Sequence, residues 1–133
     1  RLFKRGAARC TARAVHEEFA VGLPSGRLEN HMLHLTYRDL GEYLEKMDRY
    51  TTLEAQEWAH KEGPIKSTFA FWARTLSRAG ATFLARYILW GGWRDGVHGL
   101  VWAVLSATYV FTSRAKQWDI QRMQRTDEQA AGA

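Results

Sequence analysis

The apolar positions of the chain change period twice along its length. Up to about residue 37 they stand singly among polar side chains, as in RLF (Arg1–Phe3) and AVHEEFAV (Ala14–Val21), and the second run ends in the turn cluster GLPSG, Gly22–Gly26. This predicts short strands, with Arg27–Tyr37 (RLENHMLHLTY) returning as the second arm of an antiparallel hairpin. Leu28, Met32 and Leu35 alternate imperfectly in that arm, which leaves its register open.

From Asp39 to about His60 the period becomes helical. Leu40, Tyr43, Leu44, Met47, Tyr50 and Leu53 recur at three- and four-residue spacing, and Glu42 and Lys46 stand four apart on the wet face. Asp39 followed by Glu42 has the form of a capping box, and Gly63-Pro64 ends the helix because proline lacks the amide donor and disfavours helical geometry in the residue before it.

Ser67–Trp90 predicts a second helix of different character. Aromatic and aliphatic side chains (Phe69, Phe71, Trp72, Phe83, Tyr87) interleave with Arg74, Arg78 and Arg86, and no acid occurs from Lys66 to Arg94. An aromatic, purely cationic helix suits a bilayer interface, where Arg reaches phosphate and Trp sits at headgroup level. The competing account makes the aromatics a core and the arginines a solvated face. Gly91-Gly92 breaks this helix and Asp95-Gly96 marks a turn. The next 18 residues, Gly96–Ser113, contain no Asp, Glu, Lys or Arg. A spanning helix needs roughly 20 apolar residues, and this run also holds His98 and four Ser/Thr hydroxyls. The pattern therefore favours a helix lying along or dipping into one leaflet. The polar tail after Trp118 is expected to fray.

Composition sharpens the picture only after the chain is divided. The 133 residues carry a net charge of +5 and 13% aromatic side chains, including six Trp. That length fits one domain and excludes collagen-like, low-complexity and wholly disordered classes. Residues 1–14 hold five bases and no acids, residues 15–63 five bases and ten acids, and residues 64–133 nine bases and four acids. An acidic middle third argues against one continuous nucleic-acid groove. A lone Cys10 makes no internal disulfide, so a reducing compartment is expected, and no cleavable signal peptide is visible. The chain starts at Arg1 without an initiator Met and is read as a piece of a longer protein.

The candidate chemistry lies in the acidic part. A carboxylate at a strand end can be aimed at a substrate hydroxyl and accept its proton, which singles out Glu17, and Glu18 beside it, next to His16. Adjacent acids on an edge strand are also commonly just solvated. His31 and His34, three apart, face opposite sides of an extended segment and cannot ligate one metal together. Lys46, Arg49 and Tyr50 stand close enough on the first helix to hold a diphosphate, or else to pair with Glu42, Glu45 or Asp48. Phosphate-loop, dinucleotide, nucleophile-elbow and zinc-protease motifs do not occur; His16-Glu17 is not followed by the second histidine of H-E-x-x-H.

Taken in order, RLFKR, VHEEF, GRLENHMLHLTYRDLGEYLEKMDRYTTLEA and ARYILWGGWRDGVHGLVWAVLSATYVF resemble the C-terminal half of bacterial family 2 glycosyltransferases of the lipopolysaccharide-core type, over Arg1 to about Trp118. The motif set is V-H-E, L-x-x-x-x-L-H-x-T-Y, Y-x-x-K-x-x-x-Y-T and Y-I-L-x-G-G-W-x-D-G. The resemblance implies an α+β fragment: short antiparallel strands followed by three helices, the C-terminal part of a GT-A type fold with interfacial membrane helices. It divides the chain into residues 1–63 of a catalytic domain, basic aromatic membrane-associating helices at 64–118, and a polar tail at 119–133.

The implied activity is inverting transfer of a hexose from a nucleotide sugar to a lipid-linked acceptor at the cytoplasmic face of the bacterial inner membrane, with the protein peripheral or partly inserted. Glu17 would be the base, with Glu18 as its substitute. His34, Lys46, Arg49 and Tyr50 would lie near donor diphosphate or acceptor. A divalent metal, Mg or Mn, is implied for the full-length enzyme, with its ligands mostly in the half that has no counterpart here, so the chain alone should be inactive. The seven bases and one acid of Lys66–Trp118 would favour an anionic membrane surface, at about 1 kcal/mol per cation near that surface; no nucleic-acid partner is implied. The alternative is a non-catalytic membrane-surface or scaffold protein, whose acidic first helix binds a partner. In an enzyme that includes the donor-binding half, Glu17→Gln should lower kcat by about 10²–10⁴-fold, the usual contribution of a general base. Near-normal turnover in a steady-state assay would reject Glu17.

Overall fold

The computed structural model describes residues 6, 8–10, 19–22, 24, 26, 33 and 37–131. The chain forms two compact units, Arg1–Lys46 and Met47–Ala133. The described residues are mostly helical, with three α-helices and one short strand pair.

In the first unit, strand β1 (Ala8–Cys10) pairs antiparallel with β2 (Phe19–Val21), Arg9 opposite Ala20. The expected strand over Ala14–Val21 is thus seen only at its end, and its partner lies upstream in the chain. Leu33 and Tyr37, the described residues of the expected return arm, belong to no strand, and Arg1–Phe3 lies outside the described residues. Three residues per strand give too little ladder to stand alone.

Helix α1 (Leu40–Lys61) starts at the cap read from the sequence, with one change. The Glu42 amide donates to Asp39 Oδ1 at 2.8 Å, but Glu42 Oε2 accepts from the Arg38 amide at 3.0 Å, one residue before the position a capping box uses. The Glu42–Lys46 pair forms at 3.0 Å. The buried positions of α1 are Thr51 and Ala55, while Leu40, Leu44 and Tyr50 of the apolar stripe are exposed. The packed face is therefore rotated from the one its hydrophobic spacing indicates.

Helix α2 (Thr68–Leu84) is capped by Ser67, whose Oγ accepts from the Ala70 amide. It gives way at Ala85–Leu89 to a π-helical turn, earlier than the predicted end at Trp90, and the Trp90 amide reaches back five residues to Ala85 O at 2.8 Å. Gly91 has φ 76°, in the left-handed region where glycine pays no Cβ penalty, and stops the helix. A 3-10 turn, Gly92–Asp95, leads into α3 (Gly96–Ala131). α2 and α3 form an antiparallel hairpin: Trp72 meets Phe111 and Trp118 at ring distances of 5.6 and 5.9 Å, and Arg86 lies over Trp102 nearer the turn.

α3 is 36 residues long, so the tail expected to fray is helical to Ala131. Its polar side chains are held. Gln121 donates to Gly63 O at 3.2 Å and accepts from the Ile65 amide at 3.1 Å, and Arg125 donates to Ile65 O at 2.7 Å. These bonds satisfy backbone groups of the turn between α1 and α2 that would otherwise need water.

The interior of the second unit is small and polar. Its buried apolar residues are Ala55 and Ala103, beside Thr51, Thr75, Ser106, Ser113 and Gln117. Thr75 and Ser106 donate to the carbonyls one turn back, Phe71 and Trp102, so their hydroxyls enter the interface already satisfied. Several large apolar side chains near the tip of the hairpin point outward: Leu89 is 79% exposed, Trp90 73%, Trp93 59% and Val97 73%.

The hairpin closes on two glycines. A Cβ on Gly99 would stand 1.8 Å from the carbonyl oxygen of Gly92, whereas one on Gly80 would meet nothing within 4 Å. Gly80→Ala should therefore stabilise the protein by up to about 1 kcal/mol through helix propensity. Gly99→Ala should destabilise it, by about 1–3 kcal/mol as in other overpacked sites. Chemical denaturation of the two variants checks the opposite signs.

Candidate functional site

Of the four residues assigned to a site in the first unit, Lys46 is the one among the described residues. Lys46 Nζ donates to Glu42 Oε1 at 3.0 Å and lies 5.2 Å from the centre of the Tyr37 ring, which in turn packs edge-on against Tyr43. Backbone and side-chain bonds from Arg38, and the bond from Lys46, hold the Glu42 carboxyl below its ordinary range. Glu17, Glu18 and His34, with His16 and His31, lie outside the described residues.

In the second unit, Arg49 and Tyr50 are exposed and engage each other, the guanidinium 5.4 Å from the ring centre. Of the acids considered as partners for Lys46, Arg49 and Tyr50, Glu42 pairs with Lys46, whereas Asp48 is bonded to Lys116 of α3 at 2.7 Å. Lys116 Nζ has four acceptors within 3.0 Å, Asp48 O and Oδ1 and the hydroxyls of Thr51 and Thr52. Its three protons are thus fully used.

A stronger concentration of charge stands where the turn after α1 faces α2 and α3. Arg114 is 9% exposed; it donates to Glu62 Oε2 at 2.6 Å and to Gln117 Oε1 at 2.8 Å, and its guanidinium lies 3.9 Å from the centre of the Trp58 ring. Gln117 donates in turn to Glu62 Oε2 at 3.1 Å. One turn of α3 away, Ser113 donates to Glu54 at 2.8 Å. Burial alone would raise the Glu62 carboxyl, but the bonds from Arg114 and Gln117, with the charges of Arg114 and Arg78, outweigh it and hold it below its ordinary value.

A cavity of about 450 Å³ opens beside this pair, with Lys66, Arg74, Arg78 and Arg114 in its wall and Glu62 as its one acid. The start of α2 at Ser67 borders it. A second hollow of about 440 Å³, lined chiefly by Trp58, Ala81, Ala85 and Val110, shares Arg78 and Arg114 with the first. Basic side chains dominate the wall of the first, and small apolar side chains with the Trp58 ring that of the second. Neither was marked as a site by the sequence, although the run of unopposed arginines on α2 was legible there, as was the recurrence of Ser113, Arg114, Gln117 and Gln121 at helical spacing.

Among the described residues there is no group of three or more His, Cys, Asp or Glu that could hold a metal ion. Also among the described residues, the helical segment Gly92–Ala130 is long and apolar enough to cross a membrane by length and composition, and 22% of its apolar window is buried. No protein-family model and no solved structure matches the chain.

The Glu62–Arg114 pair carries a pH dependence with a defined sign. A carboxyl held below its ordinary value of about 4.5 contributes stability that is complete above that value and is lost as pH falls through the lower folded value. Glu62→Gln should lower the melting temperature at pH 7 and flatten the loss of stability below about pH 4.5, relative to the parent protein. Thermal unfolding across pH 3–7 compares the two, on the basis that the variant can no longer titrate at this position.

Proposed function

We propose that the chain is the membrane-facing, C-terminal part of an inverting hexosyltransferase of the GT-A type, acting on a lipid-linked acceptor at the cytoplasmic face of a bacterial inner membrane. The observation that carries the membrane part is the inverted polarity of the α2–α3 hairpin. Its buried side chains are Thr, Ser, Gln and Ala together with Arg114, while Leu89, Trp90, Trp93 and Val97 project outward at its tip. In water, such a tip is a contiguous apolar surface without a partner. In a bilayer interface, Trp finds a favourable position between headgroup and hydrocarbon and the flanking Arg86 and Arg94 meet phosphate.

The transferase part rests on the sequence motifs from V-H-E to Y-I-L-x-G-G-W-x-D-G. Glu17, with Glu18 as its substitute, would deprotonate the acceptor hydroxyl. The oxygen would then attack the anomeric carbon while nucleoside diphosphate leaves, the divalent metal being supplied with the donor-binding half. His34, Lys46, Arg49 and Tyr50 are proposed near the donor diphosphate or the acceptor.

The rival scaffold reading needs the acids of α1 for a partner. Within the second unit Asp48 and Glu54 of α1 are bonded to Lys116 and Ser113 of α3, which counts against it.

Flotation with vesicles tests the proposal. The chain should bind vesicles containing anionic phospholipid at low salt, and the double variant Leu89→Glu, Trp93→Glu should lose most of that binding while circular dichroism shows the same helix content. A parent protein that stays in solution, or a variant that floats equally well, would reject the assignment of the hairpin tip to the bilayer.

A further inference from the structure

The two hollows of the Met47–Ala133 unit have opposite chemistry and a common wall. The cationic one presents Lys66, Arg74, Arg78 and Arg114, and its acid, Glu62, is engaged by Arg114 and Gln117. Among the described residues no carboxylate forms an ion pair with Lys66, Arg74 or Arg78. Arg74 and Arg78 stand one turn apart on α2, a spacing at which like charges repel and at which an anion between them relieves the repulsion. Guanidinium groups so placed offer paired donors to the oxygens of one phosphate. The second hollow begins at Arg78 and Arg114 and runs along Ala81, Ala85 and Val110 past the ring of Trp58, with no acid in its lining. Both hollows are open to solvent, the second as a shallow depression along α2, so an occupant would lie partly exposed.

We propose that the pair forms one site for a phosphate-bearing lipid, its phosphate held by Arg74 and Arg78 and the adjoining hydrocarbon lying along Ala81, Ala85 and Val110. Charge complementarity selects the head and the apolar lining selects the chain, so an amphiphile fits both where a free anion fits one. The site lies within Trp58–Gln117 and does not depend on the transferase reading. It also goes beyond general attraction to an anionic surface, which would not distinguish a phosphate from a carboxylate of equal charge.

Titration calorimetry of the full chain with dihexanoyl phosphatidic acid below its micelle concentration tests the site without a bilayer, with inorganic phosphate and hexanoate as probes of head and chain separately. The lipid should bind at least tenfold more tightly than either probe. The double variant Arg74→Gln, Arg78→Gln replaces exposed side chains, and should weaken lipid binding at least tenfold. Ala81→Phe, which fills the apolar hollow, should weaken lipid binding several-fold and leave phosphate binding as it was. Phosphate binding as tightly as the lipid would reduce the site to one for free anions and overturn the proposal. Hexanoate matching the lipid, or an unchanged affinity in the double-arginine variant, would overturn it equally. Since no vesicle is present, failure here is distinguishable from failure of the hairpin tip to enter a bilayer.

Discussion

The guanidinium of Arg114 sets the terms on which the second unit holds together. A cation buried in a helix interface costs several kcal/mol unless it is paired and its protons are used. Arg114 meets that requirement with Glu62, Gln117 and the face of Trp58, drawn from the end of α1, the turn beyond it and α3 itself. Each partner must arrive from a particular direction, so the charge ties the end of α1, which Gly63-Pro64 terminates, to one position against α3. With Arg114 buried and Glu62 on the exposed side, the pair adds little net stability compared with an apolar substitute. We attribute to it the choice of one arrangement over others.

That choice matters because the rest of the interface is so weakly apolar. Ala55 and Ala103 bury little area, and hydrocarbon packing between small side chains differs little from one helix register to the next. Polar contacts do discriminate. Ser113 with Glu54, Lys116 with Asp48 and Gln121 with the backbone of the α1–α2 turn recur along α3 at intervals of three to five residues, and a shift of α3 by one turn would separate all of them. The helix thereby has two halves: one whose apolar residues face outward, and one whose polar residues face inward to α1.

Much of this architecture was legible in the sequence where a local cause acts. The Asp39 cap, the stop at Gly63-Pro64, the break at Gly91-Gly92 and the Glu42–Lys46 pair depend on neighbours a few residues away. The face that α1 buries was not legible, because hydrophobic spacing indicates Tyr50 and Leu53 whereas the contact surface is chosen by Lys116 and Ser113 from far along the chain. The same long-range bonding turned an expected frayed tail into ordered helix: Gln117, Gln121 and Arg125 look like solvent residues until their partners at Glu62, Gly63 and Ile65 are in place. The basic cavity escaped notice for a related reason, since its wall combines Lys66, α2 and Arg114, brought together only by the hairpin. The candidate base Glu17 rests on the order of motifs alone.

The carbonyl of Gly92 against Gly99 has a mechanical consequence. With no side chain at either position the turn at the tip lies backbone to backbone on the start of α3 and is fixed to that arm. The arms differ in build. α3 is an uninterrupted rod of roughly 54 Å at 1.5 Å per residue, running from the tip to the bond between Arg125 and Ile65. The other arm changes its hydrogen bonding at Ala85–Leu89, where the Trp90 amide reaches back five residues. The tip is thus joined to the body by two unlike connections, one a regular helix and the other a helix rewound just before it.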